Sequence, residues 1–212
     1  MTEKFLTEQE QFWAGEFGDE YTNRNQGKQW IAANLSLFAQ VLRRTERVQS
    51  VLEFGANIGL NLDAIHQLLP HAELSAVEIN AKAAELLTAK GFINVWQGSI
   101  LEYKTEKQHD LSFTKGVLIH LNPDWLPKVY DALYQASSRY ILLAEYYNPK
   151  PVEVAYRGHS EKLYKRDFCG ELLDRFSDLS LIDYGFVYHR DMNFPEDDLT
   201  WFLLEKKQRG MK

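Results

Sequence analysis

The first part of the chain repeats its apolar residues with a helical period, and from residue 48 onwards short apolar runs alternate with helical segments. The stripe in residues 28–44 predicts one long amphipathic helix. The alternation that follows predicts strands joined by helices, an order typical of a parallel sheet with helices on both faces. The apolar stripe consists of Trp30, Ile31, Leu35, Phe38, Val41 and Leu42.

The last part of the chain breaks this order. Residues 179–190 and 199–206 are predicted strands, and the polar segment 191–198 between them is too short for a helix, so the two strands are expected to be antiparallel. We predict an α/β fold with a Rossmann-like, doubly wound, mostly parallel seven-stranded sheet, a reversed C-terminal strand and N-terminal helices. The other predicted strands are 50–54, 73–79, 93–98, 109–117 and 139–147, and the other predicted helices are 58–68, 80–90 with Asn80 as N-cap and Gly91 at its end, Pro123 to about Ser137, and one from Asp167.

The composition excludes several classes of protein. The net charge of −6 disfavours a nucleic-acid partner, because an acidic surface repels phosphates. Cys169 is the single cysteine and the six histidines show no metal-ligand spacing, so neither an internal disulfide nor a metal is expected. No apolar run approaches the ~18 residues of a membrane span, and the N-terminus lacks the order of a signal peptide. We expect a cytoplasmic protein without a membrane partner, and its oligomeric state stays open.

The strongest chemical signal is VLEFGANIGLN (51–61), where the first strand should turn into a helix. Gly55 permits a positive φ and close approach of a ligand, and Asn57 adopts the left-handed region at low cost. Gly59 lets the helix begin close to the strand. Glu53 stands at the strand end, where its carboxylate can accept a hydrogen bond from a ligand ammonium or a bridging water. The alternative is a strand–helix turn without a ligand.

This turn does not fit a nicotinamide dinucleotide. The G-x-G-x-x-G fingerprint that starts at Gly55 needs two further glycines where the chain has Asn57 and Leu60. The turn resembles instead the E/D-x-G-x-x-x-G motif of class I S-adenosylmethionine-dependent methyltransferases, with Asn57 in place of the usual middle glycine. The resemblance implies S-adenosylmethionine as cofactor and S-adenosylhomocysteine as product. The residues that it places at the cofactor are Glu53, Gly55, Ala56, Asn57 and Gly59.

Polar residues follow the next two strands as well. Glu78 ends the second strand nineteen residues after the last glycine of the turn, close to the ~20 expected for the acid that holds a ribose diol, and Ile79 follows it. After the third strand, methyltransferases of this class often carry an aspartate for the adenine amino group. This chain has Gly98, Ser99 and Ile100 there, so we expect a weaker contact from the Ser99 hydroxyl and the Ile100 backbone.

The fourth strand ends near Lys115, where the methyl donor and the acceptor should meet. His120 follows shortly after it. Its imidazole can act as a general base near neutral pH, or it can pack and fix the loop before Pro123. Both interpretations stay open from the sequence.

Several segments together resemble a narrower group, the methylases associated with pseudaminic acid biosynthesis. They are TEQEQFWAGEFGDEYTNRN (7–25), the turn itself, EYYNPKPVEVAYRGH (145–159) and KRDF (165–168), and they span most of the chain. The resemblance implies a sugar of a nonulosonic-acid pathway as the substrate, whether free, nucleotide-linked or glycan-linked.

Segment 7–25 precedes the sheet and can fold over the cofactor as a lid. Its Arg24 could pair with the methionine carboxylate, and Tyr21 could cover the sulfonium. Trp13 and Asn25 belong to the same segment. The alternative is an amphipathic docking helix followed by a loop.

Segment 145–159 follows the fifth strand and has the polar and aromatic composition of a substrate loop. Arg157 is suited to a carboxylate or phosphate. Glu145 and His159 are, with His120, the candidate catalytic bases. The expected substrate residues are Tyr146, Tyr147, Tyr156, Arg157 and His159.

One domain is expected over residues 1–212. Its parts are a helical lid or cap (1–46), a cofactor-binding core (47–147), a substrate-loop insertion (148–170), and a C-terminal helix with an antiparallel strand pair (171–212). The expected reaction is methyl transfer to an oxygen or nitrogen of a small, sugar-derived molecule, in which the protein aligns donor and acceptor and excludes water. The alternatives are a methyltransferase for another small metabolite and a non-catalytic S-adenosylmethionine-binding or interaction module.

Overall fold

The computed structural model describes residues 5–24 and 27–207, and Asn25 of the predicted lid lies outside them. Among the described residues, no helix combines the length and apolarity that a membrane crossing requires. The helices are α1 (Glu8–Ala14), α2 (Glu16–Arg24), α3 (Lys28–Leu42), α4 (Leu60–Leu68), α5 (Ala81–Ala89), α6 (Leu126–Ala136) and α7 (Phe168–Arg175), with short 3₁₀ turns at Leu118–His120 and Pro123–Trp125. The strands are β1 (Ser50–Phe54), β2 (Glu73–Glu78), β3 (Ile93–Gln97), β4 (His109–Lys115), β5 (Ser137–Glu145), β6 (Val152–Glu153), β7 (Tyr164–Lys165), β8 (Leu179–Phe186) and β9 (Thr200–Lys206).

Seven strands form one sheet in the order β3-β2-β1-β4-β5-β9-β8. Strands β1 to β5 pair in parallel, β9 pairs antiparallel to β5, and β8 pairs antiparallel to β9. The predicted mostly parallel sheet with a reversed C-terminal strand is therefore confirmed. The short strands β6 and β7 form a separate antiparallel pair within the segment predicted as an insertion.

Apolar side chains cover both faces of the sheet, as expected for parallel strands between helices. On one face, α3, α4 and α5 pack on the strands, and the ring of Phe38 meets that of Phe113 at a centroid distance of 5.4 Å. On the other face, α6 and α7 pack on the strands, and Leu172 of α7 is fully buried. Strand β9 contributes to both faces: the side chain of Leu203 packs on the first face and that of Leu204 on the second.

Some boundaries differ from the predictions for identifiable physical reasons. Helix α4 begins at Leu60, two residues later than predicted, because Gly59 is its N-cap and has a φ of 78°. The helix predicted from Pro123 begins with a 3₁₀ turn and becomes α-helical at Leu126. Strand β5 ends at Glu145, so the two residues after it belong to the following loop.

Two predicted helix starts and the N-terminal helices are confirmed. The side chain of Asn80 accepts the backbone N–H of Ala83 at 2.9 Å, and that of Asp167 accepts the N–H of Gly170 at 2.8 Å. An N-cap of this kind contributes about 1 kcal/mol. These caps fix where α5 and α7 begin, and the cap of α5 therefore also fixes the loop that leaves β2 at the edge of the sheet.

Candidate functional site

A cavity of about 210 Å³ lies at the carboxyl edge of the parallel strands. Its walls come from the segments after β1, β2, β3 and β4, from the first three helices, and from the loop before β9. Ligands of open α/β sheets bind at this edge. The predicted cofactor residues that line the cavity are Gly55, Ala56, Asn57, Glu78, Ile79, Ser99, Ile100, Lys115 and Tyr21.

The turn after β1 has the backbone that its glycines predict. Gly55 has a φ of 74°, and a Cβ at this position would lie 2.7 Å from Cγ2 of Val117. A Cβ at Gly59 would lie 2.5 Å from Cδ2 of Leu87. Asn57 has a φ of 48°, so it takes the left-handed conformation in place of a glycine. The turn therefore runs close to the loop after β4, with its backbone at the cavity wall.

Glu78 ends β2 inside the cavity and is held by the backbone. Its Oε2 accepts the N–H of Asn57 at 2.6 Å, and its Oε1 accepts the N–H of Asn80 at 2.8 Å. Burial raises the pKa of Glu78, and the backbone hydrogen bonds oppose this rise. Each carboxylate oxygen keeps a second lone pair. The carboxylate is therefore fixed in place and still able to accept hydrogen bonds from a ligand.

Glu53 lies behind the cavity wall rather than in it. Its side chain is fully buried, and Nδ2 of Asn61 donates to its Oε1 at 2.6 Å. Its Oε2 has no hydrogen-bond partner among the described residues. Burial raises the pKa of Glu53 to about 8. The geometry places the side chain of Asn61 at the cavity and gives Glu53 the indirect role of orienting it.

The segment after β3 receives a carboxylate from α1. The hydroxyl of Ser99 donates to Oε1 of Glu10 and accepts the N–H of Leu101 at 3.0 Å. Glu10 is 5% exposed, lines the cavity, and accepts the N–H of Thr7 through its other oxygen at 2.8 Å. Glu10 is not among the residues predicted from the sequence. The Thr7–Glu10 capping box of α1 was visible in the sequence, but it shows only where a helix begins.

Gly59, Gly98 and Arg24 are further predicted cofactor residues that lie outside the cavity lining. Gly98 donates its N–H to the backbone oxygen of Glu78 at 2.8 Å, and the indole of Trp96 occupies the place of a Cβ there. The guanidinium of Arg24 pairs with Glu20 at 3.2 Å and lies 5.4 Å from the ring centroid of Phe17. The structure thus places Arg24 on the outer side of α2, where it does not reach the cavity wall.

His120 lines the cavity with a defined tautomer. Its Nδ1 lies 2.6 Å from the backbone oxygen of Lys162, and because a carbonyl only accepts, Nδ1 carries the proton. Burial lowers the pKa of His120 to about 4. Its ring packs against those of Trp13 and Tyr156 at centroid distances of 4.7 and 4.9 Å. The imidazole is therefore packed and neutral, and Nε2 is left with a lone pair.

Glu145 supports the loop that carries His120. Its carboxylate accepts the backbone N–H groups of Val117, Leu118 and Ile119 at 3.1, 3.2 and 3.4 Å. Burial raises the pKa of Glu145 to about 7, and these hydrogen bonds oppose the rise. Glu145 is fully buried and outside the cavity lining, so its geometry fits a positioning residue better than the predicted catalytic base.

Helices α1 and α2, which belong to the segment predicted as a lid, line the cavity. The hydroxyl of Thr22 lies 2.9 Å from the backbone oxygen of Gly18 and 3.1 Å from Oδ1 of Asn57, so α2 is in contact with the turn after β1. Trp13 and Tyr21 line the cavity, with their rings 5.2 Å apart. These helices therefore contribute an aromatic wall beside the turn.

Two of the predicted substrate residues lie beside the cavity. Tyr156 contacts the ring of His120, as described above. Burial and then the negative charge of Asp197 raise the pKa of Tyr146 to about 12, with Tyr156 as a further cause. Tyr156 therefore lies next to a residue of the cavity wall, and Tyr146 directly follows β5 at the same edge of the sheet.

The other three predicted substrate residues are farther out. Tyr147 is 42% exposed, and its ring lies 5.9 Å from that of Phe202. Arg157 is exposed, and its guanidinium lies over the ring of Tyr156. The exposed ring of His159 packs on Phe12 at 5.2 Å. His159 is outside the cavity lining, so the geometry does not support it as a catalytic base.

An acidic pair from the C-terminal part of the chain also reaches the cavity and was not predicted from the sequence. Glu196 and Asp197 both line the cavity, and Nζ of Lys115 lies 3.0 Å from Oε2 of Glu196. The predicted cofactor residue Lys115 is therefore paired with a carboxylate. The sequence signal was only an acidic run in a polar loop, which is the ordinary composition of a solvated connection.

Buried polar atoms without partners indicate that the cavity is built for a ligand. Oε1 of Gln9, Nε1 of Trp13 and Oδ1 of Asn34 are buried and have no hydrogen-bond partner among the described residues. All three side chains line the cavity. A buried polar group without a partner costs about 1–3 kcal/mol. A ligand with both donors and acceptors would remove this cost.

Comparison by sequence identifies no relatives: no protein-family model matches the chain, and no curated protein is similar to it. Comparison by structure finds methyltransferases. Magnesium protoporphyrin IX methyltransferase from Synechocystis with bound S-adenosylhomocysteine has a TM-score of 0.66 and 12% identity, with 93% of this chain and 97% of that chain covered.

Two methyltransferases of other substrates have similar scores. The glycopeptide N-methyltransferase MtfA with S-adenosylhomocysteine has a TM-score of 0.63 and 12% identity, over 91% of this chain and 98% of that chain. An amino pentose methyltransferase from Micromonospora echinaspora with S-adenosylmethionine has a TM-score of 0.61 and 10% identity, over 90% and 96%. At such identities the similarity establishes the fold, which is the Rossmann-like fold predicted from the sequence.

Proposed function

We propose that this protein is an S-adenosylmethionine-dependent methyltransferase that acts on an oxygen or nitrogen atom of a small molecule. The observation that carries the proposal is the cavity at the carboxyl edge, where the turn at Gly55 and the carboxylate of Glu78 come together. Solved structures of similar fold that hold S-adenosylmethionine or its product include methyltransferases. Because one fold can host many functions, the proposal rests on the cavity and the fold adds support.

The polar groups of the cavity fit this cofactor. The fixed carboxylate of Glu78 can accept from both hydroxyls of a ribose, and the carboxylate of Glu10 stands beside Ser99, where an adenine amino group needs an acceptor. The unpartnered atoms of Gln9, Trp13 and Asn34 offer further donors and acceptors. When bound, the cofactor supplies a methyl group activated by its sulfonium. The chain binds and orients the two reactants, and α1 and α2 exclude water.

His120 is the group best placed to contact the acceptor. It lines the cavity together with Lys115 and Tyr21, and its Nε2 keeps a lone pair. A pKa of about 4 makes the imidazole a weak base, so its role is to accept a hydrogen bond from the acceptor group and to orient it. Glu145 acts through His120, because it holds the backbone of the turn that carries this imidazole.

The substrate that we propose is a sugar of a nonulosonic-acid pathway, such as that of pseudaminic acid. The sugar is free, nucleotide-linked or glycan-linked. The support is the resemblance of segments 7–25, 145–159 and 165–168. The first two also meet in space, because Trp13 of one and Tyr156 of the other pack against the same ring of His120. Aromatic faces with hydroxyl and carboxylate groups are a common surface for sugars.

The test is methyl transfer from isotope-labelled S-adenosylmethionine to pseudaminic acid, its precursors and its nucleotide-linked form, with other small metabolites as a comparison panel. The proposal predicts label in a sugar and an equal amount of S-adenosylhomocysteine. If the label appears only in another metabolite, the protein is a methyltransferase but the proposed sugar substrate is wrong. Cofactor binding without any transfer would favour a non-catalytic module.

A further inference from the structure

The acidic loop before β9 is brought to the cavity by the reversed strand. Thr200 begins β9 and pairs with Glu145, which ends β5, so the residues just before β9 emerge at the carboxyl edge. Two of these residues, Glu196 and Asp197, line the cavity. They face the end of β4, where Lys115 forms its ion pair with Glu196. Two carboxylates and one ammonium thus share this end of the cavity.

One buried carboxylate oxygen at this end is left without a partner. Glu196 is 4% exposed, and although its Oε2 pairs with Lys115, its Oε1 has no hydrogen-bond partner among the described residues. Asp197 is exposed and adds a second carboxylate that lines the cavity. Lys115 pairs with Glu196, Nζ of Lys165 lies 5.0 Å from the ring centroid of Tyr146, and the neutral imidazole of His120 contributes no charge. The exposed Arg157 stacks on Tyr156 and lies outside the cavity lining.

Tyr21 lines the cavity with these acids, and the electrostatics of the phenols agree with a negative charge at this end. Burial raises the pKa of Tyr21 and of Tyr146, and the negative charge of Asp197 adds to the rise at both. This end of the cavity therefore combines negative charge, aromatic walls and a buried acceptor without a partner. Together these features suit a positively charged hydrogen-bond donor.

We infer that Glu196 and Asp197 form a cation-binding corner that selects an amine as the methyl acceptor. This inference rests on the proposed methyl transfer and narrows its substrate class to amines, such as amino sugars. A primary ammonium has three N–H donors, enough for Oε1 of Glu196 and for Asp197 together. A hydroxyl has one donor and no charge, so it could donate to only one of the two carboxylates.

The reaction balances for such an acceptor. The ammonium binds at the corner and gives one proton to water at the cavity mouth. The nitrogen lone pair then forms the new bond to the methyl carbon, while the electron pair of the broken carbon–sulfur bond stays on sulfur. The product nitrogen carries the positive charge that the sulfonium has lost, and the two carboxylates stabilise it there. No additional reactant is needed.

Sinefungin provides a direct probe, because it carries a primary amine on the carbon that replaces the sulfonium sulfur. Calorimetric titration of the whole protein should show that sinefungin binds about tenfold more tightly than S-adenosylhomocysteine, since S-adenosylhomocysteine has neither a charge nor an N–H donor at that place. It should also bind more tightly than S-adenosylmethionine, which has the positive charge but no N–H donor at that place. The Asp197→Asn variant should lose most of this preference and keep its affinity for S-adenosylhomocysteine.

The matched control is Asp191→Asn, which removes the same charge from an exposed position in the same loop and should leave the preference for sinefungin unchanged. A wild-type protein without this preference, or an Asp197→Asn variant that retains it, would overturn the amine corner and leave the methyltransferase proposal standing. If none of the three compounds binds, the proposed function itself fails. Circular dichroism of each variant establishes that it is folded.

Discussion

The Oε2 atom of Glu78 accepts the backbone N–H of Asn57 at 2.6 Å. This bond joins the end of β2 to the turn after β1, so the acid proposed for the ribose and the turn at Gly55 are one unit. The αL conformation of Asn57 presents the N–H to the carboxylate. A substitution of either residue should therefore alter the geometry of both parts of the proposed cofactor site.

Replacement of Glu78 by glutamine should weaken the binding of S-adenosylhomocysteine at least about tenfold, because an amide N–H₂ then faces the backbone N–H that it can no longer bond. The matched control is Glu73→Gln at the other end of β2, where the carboxylate is exposed and pairs with Lys107. Calorimetric titration compares the two variants. If both variants bind S-adenosylhomocysteine as tightly as the wild type, Glu78 is not part of the cofactor site.

Replacement of Gly55 by alanine should destabilise the turn and weaken cofactor binding. The positive φ costs an alanine about 1–2 kcal/mol, and its Cβ would also lie 2.7 Å from the side chain of Val117. The control is Gly91→Ala, which has a similar φ of 75° but no atom within 4 Å of an added Cβ.

Thermal unfolding and cofactor titration separate the two effects. Both alanine variants should lose stability from the strained φ, but only Gly55→Ala should lose cofactor affinity. A second change, Val117→Ala, should restore part of what Gly55→Ala loses, because it removes the contact and leaves the strain. No restoration would show that the close approach to Val117 is unimportant.

Glu10→Gln should lower the affinity for S-adenosylmethionine, because the carboxylate is the acceptor next to Ser99 and also part of the cap of α1. We expect a loss of several fold, about 1 kcal/mol for one weakened hydrogen bond. Glu16→Gln, an exposed change in the first turn of α2, should have no effect. Titration of both variants provides the comparison, and equal affinities would exclude Glu10 from the cofactor site.

His120 should remain neutral in the folded protein from pH 8 to about pH 5, with the proton on Nδ1. Burial places its pKa at about 4, below the ordinary 6.5. The unfolded chain takes up this proton below pH 6.5 and the folded chain does not, so this group lowers the free energy of unfolding as the pH falls from 6.5 towards 4.

Nitrogen NMR of the imidazole measures this state directly, and the missing signals of His120→Gln assign it. A shift that titrates near pH 6.5 would contradict the buried tautomer. It would also make His120 a stronger base than the structure allows.

The sheet and the turn could be predicted because their signals are local. Runs of apolar residues indicate strands, and Gly55 and Gly59 mark a turn whose φ values only a few residues adopt. Asn80 and Asp167 were predictable caps for the same reason. A turn that is determined by residues close together in sequence can therefore be predicted from the sequence alone.

The contacts that complete the site are set by tertiary structure. Glu10 meets Ser99 across 89 positions of sequence, and Glu196 meets Lys115 across 81. No pattern in the sequence joins such pairs, so neither acid could be predicted. Glu145 shows the converse: like Glu78 it is an acid at a strand end that accepts backbone N–H groups of a neighbouring loop, but it lies outside the cavity lining.

The measurement that tests the central claim most directly is calorimetric titration of the purified protein with S-adenosylmethionine and S-adenosylhomocysteine, with NAD and NADP as controls. The cavity geometry predicts micromolar binding of the first two compounds alone, and loss of that binding in Glu78→Ala. No binding of either compound, or binding of the nicotinamide dinucleotides instead, would contradict the proposed cofactor and with it the assignment of this site.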